Sequence, residues 1–255
     1  MRNLLFLLFY FSFIETSLAQ VTTLPVKESI NHIASSINWM TEDYPPYNYI
    51  ESGEIKGISV TLLKKIYSNL DIQPELLNLS LYPWARAYKT LQQDKNSCLF
   101  SMTHTQDRAE QFNFIGPIID TRISLISLSD RNLATHPKAL TKMRIGVVKN
   151  DIGHQLLLKK GMSEKRFVFL STGYEMVKML AMGRVDIIAY GENIAKFQFG
   201  KAGILPSQYK VISVLKNSQL GFACNKQVPK PFIEALQKSL MKVKIEELQQ
   251  FNQTQ

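Results

Sequence analysis

The sequence predicts an α/β protein of two lobes, each built on a mainly parallel sheet. Apolar strand-like runs alternate with helical segments in two separate blocks, and such alternation is typical of parallel sheets covered by helices. After the second block an apolar strand returns near Leu220, which is explained most simply if the tail completes the first lobe. Two crossing segments, near residues 121–126 and 211–215, would then form a hinge.

The first block begins with a strand at 37–40 that runs into a rigid aromatic loop. Residues 41–49 contain two prolines and three tyrosines, a composition that disfavours regular structure. Gly57-Ile58-Ser59 offers an N-cap to a helix whose apolar residues recur on one face. A second strand at 75–79, a helix at 84–92 and a short buried strand at 98–100 follow.

The second block repeats the alternation of strand and helix. Its predicted strands span 144–148, 167–170, 185–189 and 211–214, and its predicted helices span 152–160, 174–182 and a segment that begins at residue 192. The tail opens with a strand at 221–224. Two helices are expected after it, the first with an inward apolar face.

The N-terminus has the pattern of an export signal. Arg2 precedes an apolar run from Leu4 to Ile14, and Ser17-Leu18-Ala19 supplies small residues at the spacing that signal peptidase requires. The run is shorter than the roughly 20 residues of a membrane span. We expect residues 1–19 to be a signal peptide cleaved before Gln20, residues 20–35 to be a polar N-terminal segment, and the mature chain to be periplasmic. An uncleaved signal anchor is the alternative.

Composition and motifs exclude several classes of function. A hydrophobic content of 45% and a charged content of 20% describe an ordinary globular protein. The net charge of +9 comes from dispersed lysines without an aromatic-interleaved basic stripe, which favours anionic ligands over nucleic acid. The four histidines lack metal-ligand spacing, and neither a nucleophile elbow nor a phosphate-binding glycine loop occurs. We expect no metal and no cofactor.

The segment from Ser101 to Arg108 carries the strongest site signal. The buried strand at 98–100 delivers hydroxyl groups and then an arginine into the loop that follows. Hydroxyls and backbone N–H groups can hold a small anion there, and a guanidinium binds a carboxylate through two parallel hydrogen bonds. A surface arginine after a strand is the alternative interpretation.

The chain resembles the periplasmic solute-binding proteins of the polar-amino-acid class, the family 3 receptors of ABC importers. The resemblance covers residues 38–251, and its marks, in chain order, are Thr-Glu-Asp-Tyr-Pro-Pro-Tyr, Pro-Trp-Ala-Arg at 83–86, Thr103 with Arg108 and Phe-x-x-Pro, Val148-Lys149 with Gly153, Gly-Arg-Val-Asp at 183–186, and Leu-Gly-Phe at 220–222. It implies a type II periplasmic-binding-protein fold, with one lobe from 36–122 plus 217–255 and the other from 123–216. It also implies a monomer that binds a small carboxylate-bearing solute, most simply an amino acid, and delivers it to an ABC permease.

The family's site can be carried over one residue at a time. Tyr44 would be an aromatic wall, Trp84 the ring over the ligand side chain, and Thr103 with Arg108 the carboxylate clamp. Gly153 would offer a backbone N–H at the start of a second-lobe helix, where the helix dipole favours a carboxylate. The alternatives are core packing for Tyr44 and Trp84 and a plain turn for Gly153.

One departure from the family concerns the acid that meets the ligand's α-amino group. That position is Gly191 here, and Glu192 is the neighbouring acid. Glu192 is therefore predicted either to bind an ammonium group or to cap a helix N-terminus from the solvent side. The ligand's identity stays open.

Two other functions fit the same resemblance. One is a periplasmic enzyme similar to cyclohexadienyl dehydratases, for which Glu42, Glu192 or His104 would supply the acid or base. The other is a ligand-sensing subunit for a separate membrane partner.

The resemblance also bears on the two cysteines. In the family's first-lobe sheet, the strands that hold Cys98 and Cys224 are neighbours, so a disulfide is one outcome in an exported chain. Two buried free thiols are the other, because bridges between adjacent strands strain the preferred geometry.

Overall fold

A computed structural model describes residues 26–131, 133 and 137–253. The predicted signal peptide at 1–19 and its cleavage site lie outside these residues. In the part of the chain that the structure describes, none of the helices has the length and hydropathy needed to span a membrane.

The elements of the first half of the chain alternate as expected. They are α1 (Val26–Ser36), β1 (Asn38–Thr41), β2 (Tyr49–Glu51), β3 (Glu54–Lys56), α2 (Ile58–Asn69), β4 (Asn78–Leu81), α3 (Trp84–Gln93), β5 (Ser97–Thr103), α4 (Gln106–Gln111) and β6 (Phe112–Leu128). The second half contains α5 (Pro137–Leu140), β7 (Ile145–Val148), α6 (Ile152–Lys159), β8 (Phe167–Leu170), α7 (Gly173–Ala181), β9 (Ile187–Gly191), α8 (Glu192–Lys201), β10 (Tyr209–Asn225) and α9 (Lys230–Gln253).

Eight of the strands form one sheet in the order β4-β1-β5-β10-β6-β9-β7-β8. On one side β1 pairs in parallel with β4 and β5, and on the other β7 pairs in parallel with β8 and β9. We call these two sides, with their helices, the first lobe and the second lobe. The strands β6 and β10 are each 17 residues long and antiparallel to one another.

The two long strands join the lobes. Ser124 pairs with Val214 and Ile126 with Val211, which are positions within the predicted crossing segments. The two-lobed α/β fold is confirmed, and its two parallel regions are continuous through β6 and β10. The lobe boundaries after residues 122 and 216 stay a prediction.

Each lobe has its own core. In the first lobe, Trp39 packs edge-on against Phe100 and Phe222, with ring centroids 5.9 and 5.6 Å away, and its Nε1–H donates to the Tyr67 hydroxyl at 2.7 Å. In the second lobe, Ile145, Ile187 and neighbouring apolar residues are fully buried between α6 and the sheet.

Two predictions near the chain ends were wrong. The segment at 20–35 was expected to be an unpatterned polar stretch, but residues 26–36 form α1, because Ile30, Ile33 and Ala34 lie on one face and pack on the first-lobe core. The tail was expected to hold two helices, but α9 is one helix of 24 residues. The sequence between its two apolar halves has no proline or glycine to interrupt it.

The structure also refines three local predictions. The strand expected at 75–79 begins at Asn78, because Pro74 starts a short 3-10 turn that ends at Leu76. The N-cap of α2 expected within residues 57–59 is Gly57, and it forms no side-chain cap. The loop expected around Arg108 contains the short helix α4, whose N-cap Thr105 accepts a hydrogen bond from the Arg108 backbone N–H.

The two cysteines form a disulfide. Cys98 of β5 and Cys224 of β10 are directly opposite in the antiparallel register, with Cα atoms 4.0 Å apart. The bond closes a loop with a sequence separation of 126 residues. It fixes the strand that leads to Arg108 against the strand that returns to the first lobe.

Candidate ligand-binding cleft

The aromatic loop after β1 is held in place by buried polar contacts. The Asn48 side chain donates to the Glu42 carbonyl at 2.7 Å, and its amide oxygen accepts a hydrogen bond from the Ser101 hydroxyl. Ser59 extends this chain, with its Oγ 2.9 Å from that of Ser101. Gly57 is required beside the loop, because its φ is +122° and a Cβ there would lie 2.3 Å from the Tyr47 carbonyl oxygen.

Arg108 is fully buried where the two lobes meet. Its Nη1–H donates to the Thr103 carbonyl of the first lobe at 3.1 Å. Its Nε–H donates to the Gln155 side chain at 3.2 Å and its Nη2–H to the Asn150 carbonyl at 3.4 Å, both in the second lobe. All three acceptors are neutral, so a buried cation lies in the cleft without forming an ion pair to any described acid.

Aromatic rings surround the guanidinium. The Arg108 Cζ lies 5.3 Å from the ring centroid of Trp84 and 5.6 Å from that of Tyr88, within cation–π range. Trp84 is buried, and its Nε1–H has no hydrogen-bond partner. Tyr44 is also buried, and its ring meets that of Tyr190 across the cleft at 5.8 Å. The structure thus brings Tyr44, Trp84 and Arg108 together, while Thr103 contributes its carbonyl to the guanidinium.

Two buried carboxyl groups face the same region from opposite lobes. Glu42 follows β1 and is 7% exposed, and Asp151 precedes α6 and is 5% exposed. Burial raises the pKa of Glu42 well above its ordinary value, and the charge of Asp151 raises it further. Burial also raises the pKa of Asp151, against the opposing effects of Arg108 and of the N–H groups at the start of α6.

Gly153 lies one residue inside α6 and allows that helix to approach β9 closely. A Cβ at this position would lie 2.2 Å from the Ala189 carbonyl oxygen. The first turn of α6 therefore rests directly on the backbone of β9. The carboxyl group of Asp151 stands near the backbone N–H groups of this turn, at the place where the resemblance puts a ligand carboxylate.

Glu192 begins α8, and hydrogen bonds from β6 hold its carboxylate. Arg122 and Ser124 both donate to it, through Nη2 and Oγ. The neighbouring Gly191 leaves room for Tyr44, whose hydroxyl would be 3.0 Å from a Cβ at residue 191. Glu192 lies in a helix N-terminus, and its paired carboxylate borders a polar pocket of about 740 Å³ on the hinge side of the cleft.

That pocket also includes His104, the second candidate for acid–base chemistry. Its side chain is exposed and packs edge-on against Phe114, with ring centroids 4.8 Å apart. The pocket is floored by the crossing strands, and the buried Thr121 hydroxyl within it has no partner. His104 and Glu192 therefore border the hinge side of the cleft, whereas Glu42 lies in the group around Arg108.

Further contacts join the lobes outside the Arg108 region. Asn193 of α8 donates to the Tyr47 hydroxyl at 3.1 Å. Lys159 of α6 pairs with Asp107 of α4 at 2.8 Å, although both side chains are more than half exposed and such pairs contribute little. The lobes are thus in contact on both sides of the buried cluster.

Several residues of the cleft were missed as site residues. Asn150, Asp151, Gln155 and Tyr190 were not singled out, and Glu42 was considered only as a catalytic group. Asp151 resembles an ordinary N-cap and Tyr190 an ordinary buried strand residue. Asn150, Asp151 and Tyr190 share a signal of position: each stands at the carboxyl end of a second-lobe strand, the edge where ligands bind in open α/β sheets. Glu42 has the corresponding position after β1 of the first lobe, whereas Gln155 lies within α6.

The arrangement can bind a small polar molecule that carries opposite charges. The Arg108 guanidinium suits a carboxylate, the two acids suit a cation, and three tyrosine or tryptophan rings supply apolar walls. Among the described residues, no group of three or more His, Cys, Asp or Glu side chains could hold a metal ion.

A known protein family matches most of the chain. The sequence pattern of the bacterial extracellular solute-binding proteins, family 3, matches residues 37–253. No curated protein sequence matches the chain.

Solved structures with the same fold include binding proteins and a sensor domain. A histidine kinase sensor domain described as similar to periplasmic binding proteins has a TM-score of 0.73 at 17% identity, over 83% of this chain and 92% of its own. Holo ArgBP from T. maritima has a TM-score of 0.70 at 19% identity, over 85% and 93%. An amino acid ABC transporter substrate-binding protein from Streptococcus pneumoniae, bound to L-arginine, has a TM-score of 0.70 at 19% identity, over 88% and 94%. At these identities the likeness concerns the fold.

Proposed function

The chain belongs to the bacterial extracellular solute-binding proteins of family 3, and from that premise we propose that it binds a small carboxylate-bearing solute, most simply an amino acid, in the cleft around Arg108. Tyr44, Trp84 and Tyr190 form the walls of this site. Arg108 binds the solute's carboxylate. The hinge formed by β6 and β10 lets the lobes part for entry and close over the solute.

The proposal rests on one observation, the incomplete hydrogen bonding of the buried Arg108 guanidinium. Arginine has five N–H donors, and three of those of Arg108 have neutral acceptors in Thr103, Gln155 and Asn150. The remaining two have no acceptor among the described residues. A buried cation without a counter-ion is costly. A carboxylate that replaces the Gln155 side chain would neutralise this charge through two parallel hydrogen bonds.

The family supports a proposal for the destination of the solute. Delivery to an ABC permease from the periplasm, by a monomer exported through the predicted signal peptide, is the function that the family favours. Docking to a membrane sensor is the alternative, since a histidine kinase sensor domain has this fold as well.

A dehydratase-like enzyme on the same scaffold is the second candidate. The observation in its favour is Glu42, a buried carboxyl with a raised pKa in the same cleft as Arg108. Incubation with prephenate-like cyclic carboxylates tests it, because the loss of water and carbon dioxide would give an aromatic product with a strong ultraviolet absorbance. We expect binding without turnover.

A thermal-shift screen of the mature protein against amino acids and small carboxylates will identify the solute, because a ligand specific to the folded state raises the midpoint. Calorimetry with that solute should then find that Arg108→Ala lowers affinity at least about 30-fold, since the carboxylate loses a buried charged partner. Arg108→Lys should lose most of the same affinity, because an ammonium cannot form the fork.

Arg166→Ala is the matched control. Arg166 is an exposed arginine of the second lobe outside the cleft, so its removal should leave binding unchanged. Full affinity in both Arg108 variants would reject the proposed site.

A further inference from the structure

The buried acids Glu42 and Asp151 have no role in binding a carboxylate. Glu42 belongs to the first lobe and Asp151 to the second, and their charges interact across the cleft. Building on the proposed function, we propose that Glu42 and Asp151 together bind a positively charged group of the solute, one acid from each lobe, and that this cation allows the lobes to close. The solute is then a dibasic amino acid or a compound of the same charge pattern.

Unused polar atoms in the cluster support this inference. The Asp151 Oδ2 atom is buried without a hydrogen-bond partner, and so is the Tyr190 hydroxyl. Tyr190 is 1% exposed and close enough to Glu42 and Asp151 to interact with both electrostatically. Buried polar groups are nearly always hydrogen-bonded, so an acid and a hydroxyl without partners mark a place for a donor from the ligand.

Arg108 does not fill that place. Its N–H groups donate to neutral acceptors, and neither Glu42 nor Asp151 forms an ion pair with it. The guanidinium faces the acids at longer range, where its charge offsets only part of theirs. Burial therefore favours the protonated acids in the unliganded protein, and a second cation is needed for both to be ionised.

The second-lobe acid Glu192 is already occupied. Arg122 and Ser124 donate to the Glu192 carboxylate, so an ammonium group at Glu192 would have to displace both. At Gly191 there is no side chain, and the Tyr44 hydroxyl takes up the adjoining space. Asp151 is the acid at the carboxyl ends of the second-lobe strands that has a free oxygen.

The balance of charges in the cleft then defines the charge pattern of the solute. When both acids are ionised, they and Arg108 give the cleft a net charge of −1. A solute with one carboxylate and two cationic groups carries +1 and neutralises it. A zwitterion with a single ammonium group would leave one buried acid protonated and would gain the attraction of only one ionised acid.

The positions of the two acids also connect the charge of the solute with the closure of the lobes. When the lobes approach, Glu42 and Asp151 are brought together in a region that excludes water, where like charges repel strongly. A bound cation replaces that repulsion with two attractions. Because a ligand shifts a conformational equilibrium only by its different affinity for the two states, a cationic solute favours the closed state more than a neutral analogue does.

Calorimetry with L-arginine, L-lysine and L-ornithine against L-citrulline tests the inference, because citrulline keeps the α-amino and carboxylate groups and a similar shape but lacks the side-chain charge. We expect the best dibasic amino acid to bind at least about 100-fold more tightly than citrulline. Glu42→Gln and Asp151→Asn should each reduce this ratio to about 10-fold or less. Glu234→Gln, which removes an exposed acid on α9, should leave it unchanged.

The same experiment separates this inference from the proposed function. Equal affinity for citrulline and the dibasic amino acids, or a preference that survives both acid variants, would overturn the role of Glu42 and Asp151. If a neutral or acidic amino acid binds through Arg108 while no dibasic one does, the cation site fails and the carboxylate site stands. If binding does not depend on Arg108 at all, both fail.

Discussion

The starts of α6 and α8 are two similar regions with different roles. Each places an acid near a helix N-terminus at the second-lobe face of the cleft, Asp151 before α6 and Glu192 at the first position of α8. Glu192 is satisfied by Arg122 and Ser124 of β6, whereas Asp151 keeps an unpartnered oxygen in the buried cluster. The helix dipole favours an acid at both sites, so local sequence does not distinguish them. Their partners do.

The two helix starts also differ in what lies under them. The largest effect on stability should come from Gly153→Ala. Its new Cβ would lie 2.2 Å from the backbone oxygen of Ala189, which cannot move independently of β9. We expect the free energy of unfolding to fall by about 3 kcal/mol. At the start of α8, Gly191→Ala meets the movable side chains of Ile194 and Tyr44 and should cost about 1 kcal/mol.

Gly200→Ala is the control for this series. Nothing lies within 4 Å of its added Cβ, and it stands inside α8, so alanine should stabilise the protein by up to about 1 kcal/mol. Urea denaturation followed by circular dichroism measures all three. If Gly153→Ala costs no more than Gly191→Ala, α6 does not rest on β9 as described.

The two acids should affect the unliganded protein in opposite directions. Asp151→Asn removes a buried acid whose ionised form the fold disfavours and keeps a side chain of similar size, so we expect a gain of about 1 kcal/mol in stability. Glu192→Gln weakens the interactions with Arg122 and Ser124 and should lower the melting midpoint slightly, by an amount that salt reduces. A loss of stability in Asp151→Asn would mean that the Asp151 carboxylate is satisfied within the protein.

The smallest expected effect is on the pH dependence of stability, and it comes from the buried acids. Burial raises the folded-state pKa of Asp151 above its value in the unfolded chain, so the ionised carboxyl destabilises the fold. Wild type should match Asp151→Asn below about pH 4, where an unfolded aspartate is protonated. As the pH rises through the folded pKa, wild type should fall below the variant.

Other groups will titrate in the same range, and the comparison with Asp151→Asn cancels those that do not contact the acids. The charged and titratable groups that face Glu42 and Asp151 are Asp43, Tyr44, Arg108, His154 and Tyr190. Melting midpoints of both proteins from pH 4 to pH 8 give the result. A constant difference across this range would exclude titration of Asp151 as its cause.

Much of the fold could be predicted because its signals are local. The strand at 167–170 and the helix that begins at Glu192 match the structure, since apolar runs and helical periodicity are set by neighbouring residues. The length of β6 and β10 was missed. Each crosses from one lobe to the other with partly exposed residues, and pairing with the other crossing strand, not apolar alternation, keeps them extended.

Site residues could be predicted from the sequence only where the residue type and its motif indicate the role. Arg108 and Trp84 could be chosen from motif and order, and the structure places them 5.3 Å apart. Asp151 could not, because its distinguishing property is the absence of a partner, which depends on the packing of α6 against β9 and on the orientation of Arg108. Glu192 stays a prediction as a ligand contact, since its carboxylate is paired with β6 in the unliganded protein.

A crystal structure with the tightest-binding solute tests the site most directly. It should place the solute between the lobes, with its carboxylate bound to the Arg108 guanidinium in place of the Gln155 side chain and its cationic group bound by Glu42 and Asp151. A solute bound in the hinge-side pocket beside His104 and Glu192, with Arg108 still donating to Gln155, would contradict it.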